Sequence, residues 1–242
     1  MQLRTLLIIV NYNQEEEIAA FLTDLSRYHP RTDAVVVDDG STDRSPLIAL
    51  ELGFKLLAHE NNRGVGAALR TGLHHALDQG YECAAVMSSN GKMKPSNLAG
   101  VLAPLQNGTA DYVSGSRFMN GGESTGLGFG RSVAIRAFSL AVRPLLGRKF
   151  TDITCGFRAY RLDFLREGRL DIDQPWLDRY EMEYYIHYAA CRTGLRMKEV
   201  PVHISYGHLA AARRSKIPPV SGWWSMVRPF ILLSLAIKRR PR

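Results

Sequence analysis

The sequence predicts an α/β fold with a mostly parallel, Rossmann-like sheet flanked by helices. Short apolar runs bounded by turn residues alternate with segments in which apolar residues recur at the helical period. This alternation of strands and helices is typical of doubly wound sheets. The chain has 242 residues, 45% hydrophobic and 22% charged, which is enough for one large folded domain and is not the composition of a disordered chain.

The first half of the chain gives the clearest pattern. Strands are predicted at residues 6–10, 34–37, 54–58, 84–87 and 111–114. Helices are predicted at residues 15–28 and 64–79, with another that begins at Ser45-Pro46 and a short one before the fifth strand. Ligands of such sheets bind beyond the carboxyl ends of the strands, so the residues that follow each strand are the first candidates for a site.

The second half is less regular. We expect a mobile glycine-rich loop over 121–130, helices over 132–146 and 180–193, one strand over 198–206 and a basic loop over 208–219. An amphipathic helix, interrupted near Pro229, is predicted for 221–238.

The charge of the chain indicates which kinds of partner to expect, and its cysteine content indicates the cellular compartment. The net charge of +8 favours an anionic partner, but the basic residues are dispersed without an aromatic platform, so we expect no nucleic acid. The three cysteines are isolated, which suits a reducing cytoplasm and gives no zinc or dithiol motif. We find no signal peptide and no apolar run of ~20 residues, and expect a cytoplasmic protein, soluble or peripheral at the inner face of the membrane.

Polar residues follow three of the predicted strands, in the segments that begin at Asn11, Asp38 and Ser88. Asp38 and Asp39 can accept hydrogen bonds from a base N–H or from ribose hydroxyls, and Gly40 permits the tight turn that places them. An aspartate-rich turn that caps the next helix is an equally good interpretation, and both stay open.

Several segments together resemble a known family. They are residues 9–15, 36–43, 61–68, 113–118, 151–160, 199–202 and 214–216. The sequence resembles the family-two inverting glycosyltransferases, which have the GT-A fold, and among them the polyprenyl-phosphate sugar transferases such as dolichyl-phosphate mannose synthase. The resemblance covers residues 5–216. It implies a GT-A domain at 1–216, with a nucleotide-sugar half at 1–118 and an acceptor half at 119–216, followed by a helical, basic tail at 217–242.

The resemblance also implies a binding site for a nucleotide-sugar donor. Its members would be Asn11, Tyr12, Asn13, Glu15, Asp38, Asp39, Ser41, Arg63, Gly64, Ser88, Ser89 and Asn90. Tyr12, Asp38, Asp39 and Ser41 would line the base and ribose pocket, with Asn13 and Glu15 at its edge. Arg63 and Gly64 would lie near the ribose or the first phosphate, and Arg117 and Arg131 would face the diphosphate and the acceptor, because guanidinium groups match phosphate oxygens.

The sequence departs from the family at the metal-binding motif. Relatives carry Asp-x-Asp here, whereas this chain has Ser88 and Asn90, with Lys92 at the usual position of a glutamine. Divalent cations need anionic oxygen ligands, but an ammonium group can itself stabilise charge on a leaving diphosphate. We therefore predict metal-independent catalysis with Lys92 in place of the cation and no cofactor. A Mg²⁺ or Mn²⁺ enzyme is one alternative, and a catalytically degenerate nucleotide-binding module that regulates a partner is another.

The acceptor determines which other groups are needed. A polyprenyl phosphate is already anionic and needs only cationic positioning groups, for which the candidates are Arg117, Arg131, Arg213, Arg214 and Lys216. A small-molecule hydroxyl acceptor needs a base, and Asp152 and Glu183 are the catalytic candidates. Glu183 is equally well explained as a favourable carboxylate in the first turn of a helix.

The C-terminal tail allows two interpretations. Its apolar residues are Trp223, Trp224, Met226, Phe230, Ile231 and Leu232, and a basic run follows at 238–240. Peripheral contact with a membrane is one interpretation. Packing against the domain or across a dimer is the other, and the sequence leaves the oligomeric state open.

Overall fold

The computed structural model describes residues 3–147, 150–206 and 221–235. Its strands are β1 (Thr5–Asn11), β2 (Asp33–Asp38), β3 (Lys55–Ala58), β4 (Cys83–Ser88), β5 (Tyr112–Ser116), β6 (Glu123–Thr125), β7 (Arg158–Arg161), β8 (Met197–Pro201) and β9 (His203–Ser205). Its helices are α1 (Glu15–Tyr28), α2 (Ser45–Glu51), α3 (Val65–Asp78), α4 (Leu98–Gln106), α5 (Phe129–Leu146), α6 (Asp163–Arg166), α7 (Glu181–Arg192) and α8 (Ser221–Ser234).

A central sheet in the order β3-β2-β1-β4-β7-β5-β8 organises the described chain. All neighbouring strands in it are parallel except β7, which is antiparallel to both β4 and β5. The chain moves from β1 to β2 and β3 on one side and then to β4 on the other. The carboxyl ends of β1 and β4 therefore form the switch point at which ligands of such sheets bind.

Helices cover both faces of this sheet. Alternate residues of β1 divide between the two cores, with Ile8 packed towards α3 and α7 and Ile9 packed towards α1 and α4. Because both faces are buried, the inner strands are continuous apolar runs, which is why the sequence predicts β1, β2 and β4 well. The predicted α/β fold is confirmed.

Two predictions in the second half are wrong. The single strand over 198–206 is two strands, because the chain changes partner after Pro201: the Val202 amide still donates to the Ser116 carbonyl at 3.0 Å, but β9 pairs with β6 in a separate two-stranded sheet. The segment 121–130 is correspondingly not all loop, since it contains β6 and the first turn of α5.

The C-terminal helix α8 packs on the domain. It continues through Pro229 without the predicted interruption, because Met226, Phe230 and Leu233 are buried in the core on the α5 and α7 side of the sheet. Phe230 meets Phe138 of α5 edge-on, with ring centroids 6.2 Å apart. No helix among the described residues has both the length and the apolar character needed to cross a membrane.

Candidate active site

Polar side chains from the ends of β1, β2 and β4 meet at the switch point. Asn11 is buried and donates from Nδ2 to Asp38 Oδ1 at 2.6 Å and to Ser45 Oγ at 2.9 Å. Its Oδ1 accepts from Ser89 Oγ at 2.6 Å. Three of the predicted donor-site residues are therefore joined in one buried network at the expected edge of the sheet.

Asp38 also shapes the turn that follows β2. Its Oδ2 accepts from the Ser41 amide at 2.9 Å, and its Oδ1 accepts from Ser41 Oγ at 2.5 Å. Gly40 has φ +71°, and an added Cβ would lie 2.4 Å from the Asn61 carbonyl carbon, so only glycine fits this turn. The turn interpretation of the aspartates is thus supported, and the ligand contacts stay a prediction.

The turn after β1 lies against the same residues. The Asn13 amide donates to Ser41 Oγ at 2.9 Å, and Asn13 has the left-handed φ of +51°, which asparagine tolerates better than most residues. Asn13 Oδ1 accepts from the Thr42 amide at 2.8 Å. Half-buried Tyr12 precedes it, and exposed Glu15 accepts from the Arg44 amide at the outer edge.

Asp39 holds the loop that leads into α3. Its Oδ1 accepts from the Arg63 amide at 2.9 Å and its Oδ2 from the Gly64 amide at 2.8 Å. Arg63 is exposed on that loop, where a guanidinium group is accessible to a phosphate. The buried imidazole of His59 is the third partner of this carboxylate, with Nδ1 2.8 Å from Asp39 Oδ1. His59 is not among the site residues predicted from the sequence.

The segment after β4 does not fit a divalent cation. Ser88 and Asn90 offer only neutral oxygens, and Asn90 Oδ1 accepts from the Lys92 amide at 3.1 Å. Within residues 3–147, 150–206 and 221–235, no three side chains of the His, Cys, Asp and Glu types are grouped to hold a metal ion. Lys92, two residues after Asn90, brings a positive charge to this segment.

Three of the predicted cationic residues converge on Tyr206. Lys92 Nζ lies 5.6 Å from the centroid of the Tyr206 ring, and the Arg131 guanidinium carbon lies 5.9 Å from it. Arg117 Nη1 donates to the Tyr206 hydroxyl at 2.6 Å. Burial raises the pKa of this phenol, against the opposing effect of Arg117 and Arg131. Lys92, Arg131 and Arg117 therefore lie together at Tyr206, a residue that is not among those predicted from the sequence.

Arg117 and Asp152 form a buried ion pair. Arg117 Nε and Nη2 donate to the two Asp152 oxygens at 2.6 and 2.7 Å, and Nη2 also contacts Thr154 Oγ1 at 2.5 Å. Although burial alone lowers the pKa of Arg117, the Asp152 carboxylate raises it overall. The sequence predicts a phosphate contact for Arg117 and a role as base for Asp152. Because the two side chains bind each other, the geometry favours a positioning role for both.

Glu199 supports the same loop. Its carboxylate accepts from the Thr151 amide and the Asp152 amide, at 2.9–3.0 Å. Burial raises the pKa of Glu199, and these backbone hydrogen bonds oppose that effect. Glu199 lies in one of the segments that resemble the family, so its sequence position was noted but its role was not.

Glu183 lies beside the loop at the start of α7. An added Cβ on Gly156 would lie 3.0 Å from Glu183 Oε1, which places the carboxylate against Gly156. Burial raises the pKa of Glu183, with Arg158 acting in the opposite direction. A raised pKa suits a proton-accepting group, so Glu183 stays the candidate base. The predicted residues Arg213, Arg214 and Lys216 lie outside the described residues.

The fold and the position of the site define an α/β protein that binds ligands at the carboxyl edge of a parallel sheet. The model of the family "Glycosyl transferase family 2" matches residues 6–169, and the chain belongs to this family. The protein is therefore a glycosyltransferase, as the resemblance indicated.

Two relatives illustrate the similarity. The undecaprenyl-phosphate mannosyltransferase of Micrococcus luteus is 32% identical over 218 residues, which cover 88% of each chain. The UDP-N-acetylglucosamine–dolichyl-phosphate N-acetylglucosaminyltransferase of Methanococcus voltae is 30% identical over 228 residues, which cover 87% of this chain and 89% of that protein.

A solved structure shows the same fold. Glucosyl-3-phosphoglycerate synthase of Mycobacterium tuberculosis, in complex with Mn²⁺, UDP-glucose and phosphoglyceric acid, has a TM-score of 0.72 and 19% identity. The match covers 98% of this chain and 81% of that chain. The GT-A-like architecture is thereby confirmed.

Proposed function

We propose that this glycosyltransferase moves a sugar from a nucleotide-sugar donor to a polyprenyl phosphate, with inversion at the sugar carbon. The observation that carries the proposal is that Lys92 and Arg131 both lie against the ring of Tyr206, whose hydroxyl is held by Arg117. Two cationic groups that lie against one ring concentrate positive charge there, which favours the binding of phosphate groups. The names of the two relatives, both of which act on polyprenyl-type phosphates, support the same acceptor.

The reaction needs little from the protein besides charge and position. A phosphate oxygen of the acceptor attacks the sugar carbon, and the bond from that carbon to the donor diphosphate breaks. The acceptor is already anionic, so no proton has to be removed. The negative charge that grows on the leaving diphosphate falls, in this proposal, beside the Lys92 ammonium group.

We further propose that catalysis is independent of a divalent cation. The support is the set of side chains at residues 88–92, which contains two hydroxyls, an amide and an ammonium group and no carboxylate. Lys94, two residues further on, is a matched control, because it is a half-buried lysine in the same segment.

The test is sugar transfer from a panel of UDP- and GDP-sugars to undecaprenyl phosphate, in excess EDTA and with added Mn²⁺. We expect wild-type activity to survive EDTA, Lys92→Ala to lower kcat by ~10²-fold or more, and Lys94→Ala to stay within about twofold. Full loss in EDTA, with recovery in Mn²⁺, would contradict the lysine proposal. Nucleotide binding without turnover would favour the alternative of a regulatory module. Transfer only to small hydroxyl compounds would show that the acceptor is not a polyprenyl phosphate, and Glu183 would then be the candidate base.

The protein acts, in this proposal, at the inner face of the membrane, where a polyprenyl phosphate is accessible. Trp224, Ile231 and Leu235 of the α8 segment are exposed and share one side, while Met226 and Phe230, which the membrane interpretation also included, are buried in the core. The side chain of Trp223 and the basic run at 238–240 lie outside the described residues. An exposed apolar stripe followed by cationic residues suits an anionic lipid surface.

A further inference from the structure

His59 connects the donor side of the site to helix α3. It follows β3, and only 7% of its side chain is exposed. Its Nδ1 lies 2.8 Å from Asp39 Oδ1, and its Nε2 lies 2.9 Å from Thr71 Oγ1. The three side chains form a continuous chain of hydrogen bonds from α3 to the end of β2.

The direction of the hydrogen bond between His59 and Asp39 follows from the chemistry of the two groups. The Asp39 carboxylate also accepts from the amides of Arg63 and Gly64, so it is the acceptor in its pair with His59. Nδ1 therefore donates to the carboxylate, and Nε2 forms the second hydrogen bond with the Thr71 hydroxyl, which can donate or accept. Thr71 fixes the ring, and the ring fixes the carboxylate.

The loop at residues 61–64 depends on the orientation of that carboxylate. Both of its oxygens are engaged by loop amides at 2.8–2.9 Å, and Asn62 Nδ2 donates to the Asp39 carbonyl at 3.3 Å. A carboxylate that lost the imidazole on one side would be able to rotate away from one of the two amides. The loop carries Arg63, which is a candidate for contact with the ribose or the first phosphate.

We infer that His59 and Thr71 are positioning residues for the nucleotide: they hold the Asp39 carboxylate and, through it, the 61–64 loop in the geometry that binds the donor. Neither residue touches the reacting atoms, so their loss weakens nucleotide affinity and leaves the chemical step intact. The inference rests on the proposed function, because it takes the ligand to be a nucleoside diphosphate.

Two substitutions separate the two ends of the imidazole. An asparagine amide nitrogen can occupy the position of Nδ1, so His59→Asn retains a donor to Asp39. A glutamine amide reaches only the position of Nε2, so His59→Gln retains the contact with Thr71 and loses the one with Asp39. His74→Gln is the matched control, because His74 makes a similar contact with Asp173 at 2.8 Å on the exposed side of α3.

The experiment measures UDP and GDP binding by calorimetry in EDTA, donor KM and kcat, and the melting temperature. We expect His59→Gln to raise Kd and donor KM by about tenfold or more with kcat within about twofold of wild type, as for other residues that orient a ligand-binding group. His59→Asn should stay within about threefold, Thr71→Val should be intermediate, and His74→Gln should match wild type.

The outcomes are distinguishable. If wild type binds neither nucleotide, the proposed function fails and the inference fails with it. If wild type binds and His59→Gln binds equally well, the inference alone is overturned. Equal losses of melting temperature in both His59 variants, with unchanged KM, would show a merely structural role and would also overturn it.

Discussion

Among single residues, Arg117 and Asp152 show how burial changes the meaning of a charged side chain. The sequence suggests a phosphate-binding arginine and a catalytic base, but the Asp152 side chain is 0% exposed and both of its oxygens face Arg117. A buried ion pair contributes little net stability, yet removing one partner leaves an uncompensated charge in the interior. The pair therefore fixes the loop at residues 152–154 beside Tyr206.

The first prediction concerns this pair. Asp152→Asn should lower the free energy of unfolding by about 3–5 kcal/mol, because Arg117 then stays charged and buried without its partner. Urea denaturation measures the change. Asp163→Asn is the control, since Asp163 pairs with Arg161 and Arg166 at the half-exposed surface and should cost under ~1 kcal/mol. Equal small effects in both variants would show that Arg117 finds another partner.

His187 gives a prediction for pH. Burial, with a smaller effect of Arg158, holds its pKa well below the ordinary 6.5. The unfolded chain then binds a proton below pH 6.5 that the folded chain does not. The free energy of unfolding should therefore fall as the pH is lowered from 6.5, by up to about 1.4 kcal/mol per pH unit from this residue.

The comparison of variants isolates that effect. His187→Phe should have a flatter dependence of stability on pH between 5 and 6.5 than wild type, whereas exposed His74→Gln should not. The raised pKa of Glu183 acts with the opposite sign, because the folded protein then binds the extra proton, and it is common to all three proteins. Parallel curves for wild type and His187→Phe would contradict the prediction.

Tyr206 could not be identified from the sequence, and the reason is distance along the chain. His59 directly follows β3, so the rule that selects residues after strands could have found it, although its contact with Asp39 could not be predicted. Tyr206 and Arg117 are 89 residues apart, and their contact exists only because β9 and β5 end near each other. The places of Asn11 and Asp38 in the fold could be predicted, because these residues lie at the ends of strands that must share one edge of the sheet.

At the level of elements, the accuracy of the prediction follows burial. β1, β2 and β4 are central strands that are predicted well because their apolar runs are typical of buried strands. α1 is predicted well because its apolar residues lie on one buried face. β6, β7 and β9 are only 3–4 residues long. A short strand with polar residues has no periodicity to detect, and its pairing is decided by tertiary contacts.

The two sides of α8 should respond differently to substitution. Phe230→Ala should lower the free energy of unfolding by about 3–5 kcal/mol, because the ring is fully buried against Phe138 and Tyr184. Trp224→Ser should leave stability nearly unchanged, because 56% of Trp224 is exposed.

The same pair of variants tests the membrane proposal. Trp224→Ser should weaken co-sedimentation with anionic phospholipid vesicles. If the basic tail also contributes, vesicle binding should in addition become weaker as the salt concentration is raised. Binding of Trp224→Ser that equals that of wild type would contradict a lipid contact through this side of α8. Denaturation curves of both proteins show whether the fold is retained.

For the whole molecule, the two predicted halves, 1–118 and 119–216, are joined in one sheet. β4 from the first pairs with β7 from the second, and β5 pairs with β8. A second junction lies where α3 meets residues 177–179, and there the Ala67 amide donates to the Asp178 carbonyl at 3.0 Å. The loop that carries Arg63 leads directly into this junction, so donor-side geometry depends on how closely the two halves approach.

Gly66 is the residue that permits this approach. An added Cβ would lie 2.0 Å from the Leu177 carbonyl oxygen and 2.4 Å from that of Arg179, and backbone on both sides cannot yield easily. Gly66→Ala should therefore destabilise the protein by about 1–3 kcal/mol and raise donor KM, because α3 must shift away from residues 177–179.

Gly100→Ala, in the exposed first turn of α4 with open space around it, should instead stabilise by about 0.5–1 kcal/mol and leave KM unchanged. Thermal unfolding and donor kinetics on the two variants provide the comparison. A Gly66→Ala protein as stable and as active as Gly100→Ala would show that the junction has room, and that the position of the donor loop does not depend on it.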